Sequence, residues 1–333
     1  MSSSDNLLIM GIESTAHTFG VAIINEDFKI LADERAVLKV EPGSGIHPQK
    51  AAEHHAEKAS KVIIKALKGA KVSMEQITGI AYSAGPGLGP ALRIGATSAR
   101  ALAFYFKKPI YPVHHAIGHI ELAIKLTQAK NPLVVLVSGG HTAITAFNDG
   151  KWRVYGETLD ISLGNLIDQF ARELNLPFPG GPAVEKLALE GSNFIELPYT
   201  VKGNNMMYSG LLTRALRLIG KVDLRDLCFS LQETAFSMLV EATERALVQL
   251  DKDEIVLAGG VASNKRLQEM MREMGKVHGV KTLVAPTKYN PDNGVQIAVV
   301  GLYMHKCGHD VGVENAIVRQ KWRLDEVEIP WRK

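Results

Sequence analysis

The sequence has few of the features that mark secreted or membrane proteins. It contains only two cysteines, Cys228 and Cys307, whose separation matches no metal-binding spacing, so we expect a reducing compartment and no structural disulfide. The formal net charge is only +3, which permits contact with nucleic acid without requiring it. The apolar run 7–12 ends at Glu13, the segment before it is polar, and later apolar runs are strand-sized. These absences predict a cytoplasmic protein without a membrane span.

The composition is that of an ordinary globular protein with one large or two medium domains. Of the 333 residues, 46% are hydrophobic, which is ample for a buried core. A similar order of elements occurs twice: three strand-like runs at 7–32 and again at 133–155, each followed by helices and then by a strand, a glycine loop and a helix. This echo predicts an α/β protein with two related lobes, each a mixed sheet flanked by helices. We place the first lobe at 1–130, joined by the C-terminal segment 305–333, and the second at 131–304.

Two histidines, His115 and His119, directly follow a strand-like run at 109–113. If this stretch is helical, both imidazoles lie on one face about 6 Å apart, which suits two ligands of one metal ion. Such pairs also occur on ordinary helices, and two ligands do not complete a coordination shell. A metal site therefore needs a third ligand. Asp292, in a strand-to-helix loop, is a candidate, although an aspartate there is also suited to capping the helix.

Three turns are candidates for binding an anion. The turn Ser138–Thr142 joins two buried strands, Gly259 and Gly260 end a strand before a helix, and Glu13–Thr18 is the corresponding turn of the first half. Glycine lets backbone N–H groups approach a phosphate without a Cβ in the way. A glycine turn in a hairpin is by itself often only a turn. What indicates anion binding is that the three turns occupy corresponding places in the two lobes.

Two acidic residues flank the loop 176–182, which is rich in proline and glycine. They are Asp168 and Glu185. Carboxylates in such places bind ribose hydroxyls through charge-assisted hydrogen bonds, but acids are also mostly exposed. Both interpretations stay open at this point.

Short motifs along the whole chain resemble one known family. In order they are GIESTAHT (11–18), GIHP (45–48), GPGLGPALR (85–93), HHAIGH (114–119), VSGGHT (137–142), GETLD (156–160), PGGP (179–182), YSGLLT (208–213), GGVASN (259–264) and DNG (292–294). Together they resemble the tRNA threonylcarbamoyladenosine transferase family, which includes bacterial TsaD and the archaeal and eukaryotic catalytic subunit of the KEOPS complex. The motif GETLD and the tract 230–236 are similar to the archaeal branch.

The resemblance implies a fold and a reaction. The fold is a two-lobed actin-like ATPase fold of the sugar kinase and heat-shock chaperone type, with duplicated ribonuclease-H-like lobes. The reaction is transfer of a threonylcarbamoyl group from threonylcarbamoyl-AMP to the N6 amine of the adenosine 3′-adjacent to the anticodon, in tRNAs that read ANN codons. The implied partners are tRNA, a small RIO-like kinase subunit, a dimerising subunit and a further small subunit. The helix at 50–68 and the basic tail 319–333 are plausible surfaces for them.

The resemblance also implies roles for individual residues. A divalent iron or zinc ion would be bound by His115, His119 and Asp292. The residues expected to contact the nucleotide, an ATP- or AMP-type molecule, are Ser138, Gly139, Gly140, His141, Thr142, Asp168, Gly181, Glu185, Gly259, Gly260 and Asn264. The candidates for moving a proton from the attacking amine are His141 and Glu13.

The chain departs from the family pattern at three places, and two other functions are possible. Leu136 stands where some archaeal relatives have a tyrosine near the metal, and His141 stands where asparagine is frequent. Val295 and Gln296 replace the usual Ala-Met, for which we expect little consequence, and these departures leave the metal's identity open. A metallopeptidase is one alternative, but its H-E-x-x-H signature needs a glutamate where this chain has Ala116. A nucleotide-switched binding module of the same fold is the other, since fold does not fix function.

Overall fold

The computed structural model describes residues 7–332, and the polar segment 1–6 and Lys333 of the basic tail lie outside the described residues. The strands are β1 (Leu8–Glu13), β2 (Thr18–Asn25), β3 (Ile30–Val37), β4 (Gly79–Gly85), β5 (Ile110–His114), β6 (Leu133–Val137), β7 (Thr142–Asn148), β8 (Lys151–Glu157), β9 (Val201–Lys202), β10 (Asn205–Met206), β11 (Glu254–Ala258) and β12 (Lys281–Val284). The helices are α1 (Pro48–Ala70), α2 (Gly89–Phe106), α3 (His115–Thr127), α4 (Leu163–Glu173), α5 (Gly181–Ala188), α6 (Ser209–Leu218), α7 (Leu224–Leu250), α8 (Lys265–Val277) and α9 (Gly294–Lys306). The described chain divides into two compact units.

Unit 1 contains the residues up to Leu38, Ile46–Leu122 and the residues from Asp292 onward. Strands β1, β2 and β3 form an antiparallel meander, and β4 and β5 extend it in parallel, giving the order β3-β2-β1-β4-β5. Every residue of β1 is buried, as expected for a continuous apolar run at the centre of a sheet. The buried aromatic side chains of Phe19 and Tyr82 belong to the core of this unit.

Helix α9 lies directly on the backbone of the unit 1 sheet. A Cβ on Gly11 would come within 2.3 Å of the Ala298 backbone nitrogen, and a Cβ on Gly301 within 2.4 Å of the Ala81 Cβ. Only glycine permits this close approach. The start of α9, and with it Asp292, is therefore fixed against β1 and β2.

Unit 2 contains Lys39–Gly45 and Ala123–Pro291. Its strands β6, β7 and β8 form an antiparallel meander, and β11 and β12 extend it in parallel, giving the order β12-β11-β6-β7-β8. Strands β6, β7, β8, β11 and β12 thus correspond in order to β1, β2, β3, β4 and β5 of unit 1. The duplication expected from the sequence is confirmed.

Helix α7 supplies much of the core of unit 2. An apolar stripe is buried from Leu227 to Ala242, and Asp223 caps the helix by accepting a hydrogen bond from the Arg225 backbone. The helix is 27 residues long, but its other faces are polar. Within residues 7–332, none of the helices combines the length and the apolar character that crossing a bilayer requires.

The unit boundaries and the expected lobe boundaries fall at different places. The lobe boundaries expected from the sequence follow residues 130 and 304, whereas the units change after Leu122 and Pro291. Helix α9 packs on β1, β2 and β4, which places it in unit 1. Asp292 consequently belongs to the same unit as His115 and His119.

Candidate metal centre and nucleotide cradle

The histidine pair lies at the junction of β5 and α3. Strand β5 ends at His114 and α3 begins at His115, so the expected helix is present, and His119 follows one turn later. The two rings are nearly perpendicular, with centroids 4.7 Å apart and an interplanar angle of 88°. Both side chains are buried, which is unlike the solvent-facing histidines of an ordinary surface helix.

Asp292 completes a group of three convergent donors. Its Oδ1 lies 3.3 Å from His119 Nε2 and 3.6 Å from His115 Nε2. The helix cap is the next residue, Asn293, whose side chain accepts a hydrogen bond from the Gln296 backbone at 2.9 Å. The capping interpretation of Asp292 is therefore wrong, and its carboxylate faces the imidazoles instead. One ligand atom from each of the three residues lies within 4.8 Å of the others, so the group could hold a metal ion.

Glu13 is buried behind His115. The Glu13 Oε2 lies 3.0 Å from His115 Nδ1, and the other oxygen accepts hydrogen bonds from the Thr15 backbone at 2.6 Å and the Thr15 hydroxyl at 2.5 Å. A carboxylate in this place favours a proton on Nδ1, which leaves the Nε2 lone pair directed toward Asp292. The geometry thus suits Glu13 for orienting an imidazole.

In the metal-free protein the neighbouring charges favour the protonated form of His115, so a metal ion bound at Nε2 would displace the proton from that nitrogen. Burial opposes a charge on His115, but the Glu13 carboxylate, together with Asp292, outweighs it and raises the His115 pKa to about 9. Burial is the largest influence on His119 and lowers its pKa. Burial also opposes ionisation of Asp292, yet the hydrogen bond from His119 and the charge of His115 hold the pKa of this carboxyl well below its ordinary value. Two imidazole nitrogens beside an ionised carboxylate form a donor set that suits iron and zinc alike.

Gln296 lies beside the three candidate metal ligands. Its side chain is fully buried and its Nε2 lies 3.2 Å from His115 Nδ1. This contact with a candidate ligand is one that the sequence did not predict, and the expectation of little consequence stays a prediction.

In unit 2, the turn between β6 and β7 is held by its own hydrogen bonds and by α4. The Ser138 backbone N–H donates to His141 O at 2.8 Å, and Ser138 Oγ accepts from the His141 N–H at 3.1 Å. The cap of α4, Ser162, donates to Gly139 O at 2.5 Å, and Thr142 Oγ1 accepts from the first N–H of α4 at 2.7 Å. The turn is therefore a rigid part of the unit.

The expected glycines of the cradle border open space. A Cβ built on Gly139, Gly140, Gly181 or Gly260 meets no atom within 4 Å. None of these four needs glycine for a left-handed backbone, so what glycine provides there is access to the main chain. Gly259 differs, because its φ is +92° and a Cβ would lie 2.4 Å from the β6 carbonyl oxygen of Val137.

Three further residues expected to contact the nucleotide bind neighbouring segments of unit 2. Asp168 accepts the Gly180 N–H at 2.7 Å and Glu185 accepts the N–H that opens α8 at 2.7 Å. Asn264 caps α8 by accepting the Leu267 N–H at 3.0 Å. These contacts fix the proline-glycine loop and the start of α8, and both carboxylates are only partly buried.

Comparison with known proteins identifies first the fold of the chain and then its family. The solved structure of HypF from Thermococcus kodakarensis matches with a TM-score of 0.63 and 15% identity over 90% of this chain, and the chain spans 48% of HypF. This likeness identifies the actin-like ATPase and sugar kinase type of fold, as the sequence analysis expected.

A family model described as TsaD, tRNA N6-adenosine threonylcarbamoyltransferase, matches residues 29–299. A relative with that name from Caldivirga maquilingensis is 49% identical over 98% of both chains. Another from Methanothermobacter thermautotrophicus, a probable bifunctional tRNA threonylcarbamoyladenosine biosynthesis protein, is 49% identical over 98% of this chain and 61% of its own length. The chain belongs to the tRNA N6-adenosine threonylcarbamoyltransferase family, which confirms the resemblance found in its motifs.

Proposed function

We propose that this chain transfers the threonylcarbamoyl group from threonylcarbamoyl-AMP to the N6 amine of the adenosine 3′-adjacent to the anticodon, in tRNAs that read ANN codons. Membership of the family over nearly the whole chain carries the proposal. The convergent donors of unit 1 and the open glycine turns of unit 2 support it, because they are the features that such a reaction needs.

The chemistry explains why both features are needed. The donor is a mixed anhydride of a carbamate and a phosphate, and the N6 amine is a weak nucleophile because its lone pair is delocalised into the purine. In the reaction a C–N bond forms to the carbamoyl carbon, the C–O bond to phosphate breaks, AMP leaves and the amine loses a proton. Catalysis therefore requires polarisation of the carbamoyl group, stabilisation of the departing phosphate and a proton acceptor.

We assign these tasks to residues as follows. His115, His119 and Asp292 would hold one divalent iron or zinc ion, which supplies Lewis acidity when bound. Main-chain N–H groups around Gly139 and Gly140 would face the phosphate, with Asp168 and Glu185 at the ribose. His141, in the same turn, would accept the proton from the amine. For Glu13 we favour orientation of His115 over proton transfer, because its carboxylate is buried against that ring.

We propose further that the chain acts in the cytoplasm as the catalytic subunit of a KEOPS-type complex with a RIO-like small kinase, a dimerising subunit and a further small subunit. The bifunctional name of one relative supports a second activity working beside this one. Co-purification from a mixture of these subunits tests the assembly, and a chain that elutes alone would contradict it.

The reaction is tested by transfer of label from radioactive threonine to tRNA, in the presence of ATP, bicarbonate, the adenylate-forming enzyme and the partner subunits. We expect labelling by the wild-type chain and loss of labelling with the His115→Ala, His119→Ala pair. His278→Ala, an exposed histidine paired with Glu244 in unit 2, is the matched control. Absence of labelling with all partners present would refute the transferase function, whereas equal labelling by the paired variant would refute the metal site alone.

A further inference from the structure

A buried ion pair joins the C-terminal segment to the helix that carries both histidines. Glu121 on α3 is 1% exposed, and it accepts three hydrogen bonds from one guanidinium. Arg332 Nε donates to the two carboxylate oxygens at 2.8 and 3.1 Å, and Nη2 donates to Oε2 at 2.8 Å. This two-sided geometry is the most directional that a carboxylate can make with a side chain.

The pair acts on the opposite side of α3 from the metal centre. His119 and Glu121 are two positions apart, and at 100° per residue their side chains leave the helix about 200° apart. His119 is directed at Asp292, so Glu121 is directed away from it. Gly118, which precedes His119, faces α9: a Cβ at Gly118 would be 3.2 Å from the Gln296 side chain.

Directional contacts matter here because they specify the rotation of the helix most sharply. Residues 115–124 of α3 are all buried, but the attraction between apolar side chains such as Ile117 and Ile120 is itself non-directional. The charged hydrogen bonds of Glu121 on one side of the helix depend on orientation, as does the approach of the imidazoles to Asp292 on the other. A rotation that breaks the bonds from Arg332 would also move His115 and His119 relative to Asp292.

The same segment also contacts the other helix next to the centre. The Trp331 ring stacks on Tyr303 of α9 with centroids 5.8 Å apart and an interplanar angle of 14°. Helix α9 begins two residues after Asp292. Adjacent residues, Trp331 and Arg332, therefore hold the two elements that supply the three donors.

We propose that Arg332 is a positioning residue for the metal centre, which fixes the rotation of α3 through Glu121 so that His115 and His119 converge on Asp292. The inference rests on the proposed metal site and concerns its affinity. Groups that hydrogen-bond a metal ligand directly change affinity by roughly 10- to 100-fold, and Arg332 acts one contact further away, so we expect the lower end of this range.

The test measures the dissociation constant of Zn²⁺ by competition with a chromophoric chelator, and the free energy of unfolding of the metal-free protein in urea. Arg332→Met leaves Glu121 buried without its partner, so it will lower stability and can prevent folding. The Glu121→Gln, Arg332→Met double variant removes the buried charge as well and keeps the chain foldable. Arg323→Met is the matched control, because Arg323 belongs to the same segment but forms an exposed ion pair with Asp325.

We expect the folded double variant to bind Zn²⁺ at least about 10-fold more weakly than wild type, with Arg323→Met unchanged. A folded double variant that binds within about 2-fold of wild type would show that the pair serves stability only and would overturn the proposal. Zn²⁺ binding by His119→Ala distinguishes an error about Arg332 from an error about the metal site. If His119→Ala binds Zn²⁺ as wild type does, the metal site is wrong. If His119→Ala weakens binding while the double variant does not, only the role of Arg332 is wrong.

Discussion

Replacing Gly140 by valine separates folding from nucleotide binding. A Cβ at this position meets no atom within 4 Å and the backbone is not left-handed, so stability should change by less than about 0.5 kcal/mol. The branched side chain would occupy the space in which the phosphate of the proposed nucleotide would approach the main chain. Loss of one hydrogen bond to a charged group costs about 1.5–3 kcal/mol, which corresponds to a roughly 10- to 150-fold weaker nucleotide affinity.

Isothermal titration with AMP and ATP measures the affinity, and urea denaturation measures the stability. Gly210→Val is the matched control, because Gly210 on α6 also borders open space but lies outside the expected cradle. The reasoning fails if Gly140→Val is as stable as wild type and binds both nucleotides equally well. It also fails if this variant unfolds much more easily, since the space beside Gly140 would then be needed by the protein itself.

Three further predictions follow from individual contacts. Burial lowers the pKa of His55 from 6.5 to about 4, so the unfolded chain binds more protons between these values and stability should fall by up to about 3 kcal/mol as the pH drops through them. Urea denaturation from pH 7 to 4 checks this, and His55→Leu should lose that part of the slope. Glu13→Gln should weaken Zn²⁺ binding by roughly 10- to 100-fold in chelator competition because it removes the carboxylate that orients His115, whereas the exposed Glu26→Gln should not. Gly259→Ala should lower the urea-unfolding free energy by more than about 1 kcal/mol, since φ is +92° and the Cβ would lie 2.4 Å from a β6 carbonyl oxygen.

Local patterns in the sequence were sufficient for the repeated sheets and for half of the metal centre. Strands such as β1 and β6 are short apolar runs bounded by turns, and these signals lie within a few residues of one another. The spacing of His115 and His119 fixes their common face as soon as α3 is helical. Asp292 was a candidate from its place in a strand-to-helix loop, but this position alone could not distinguish a ligand from a cap, and the family resemblance favoured the ligand.

What the sequence could not supply depends on partners distant in the chain. Glu13 reads as the first residue of a polar turn, yet it ends β1 with no exposed surface, because His115 and the Thr15 groups satisfy its carboxylate. Glu121 reads as an ordinary helical acid until its partner in the C-terminal segment is known. A buried charge is stable only where compensating groups are present. No local sequence pattern predicts a partner about two hundred residues away.

The duplication also explains why the donor set is divided along the chain. Each five-stranded sheet is followed in the chain by a helix after its last strand: α3 follows β5, and α9 follows β12. The first connection supplies the imidazoles of His115 and His119, and the second supplies the carboxylate of Asp292. Neither repeat contains the complete set, so the segment up to residue 130 carries two ligands without the third. The candidate metal centre therefore combines side chains from corresponding connections of the two sheets, and it depends on both halves of the sequence.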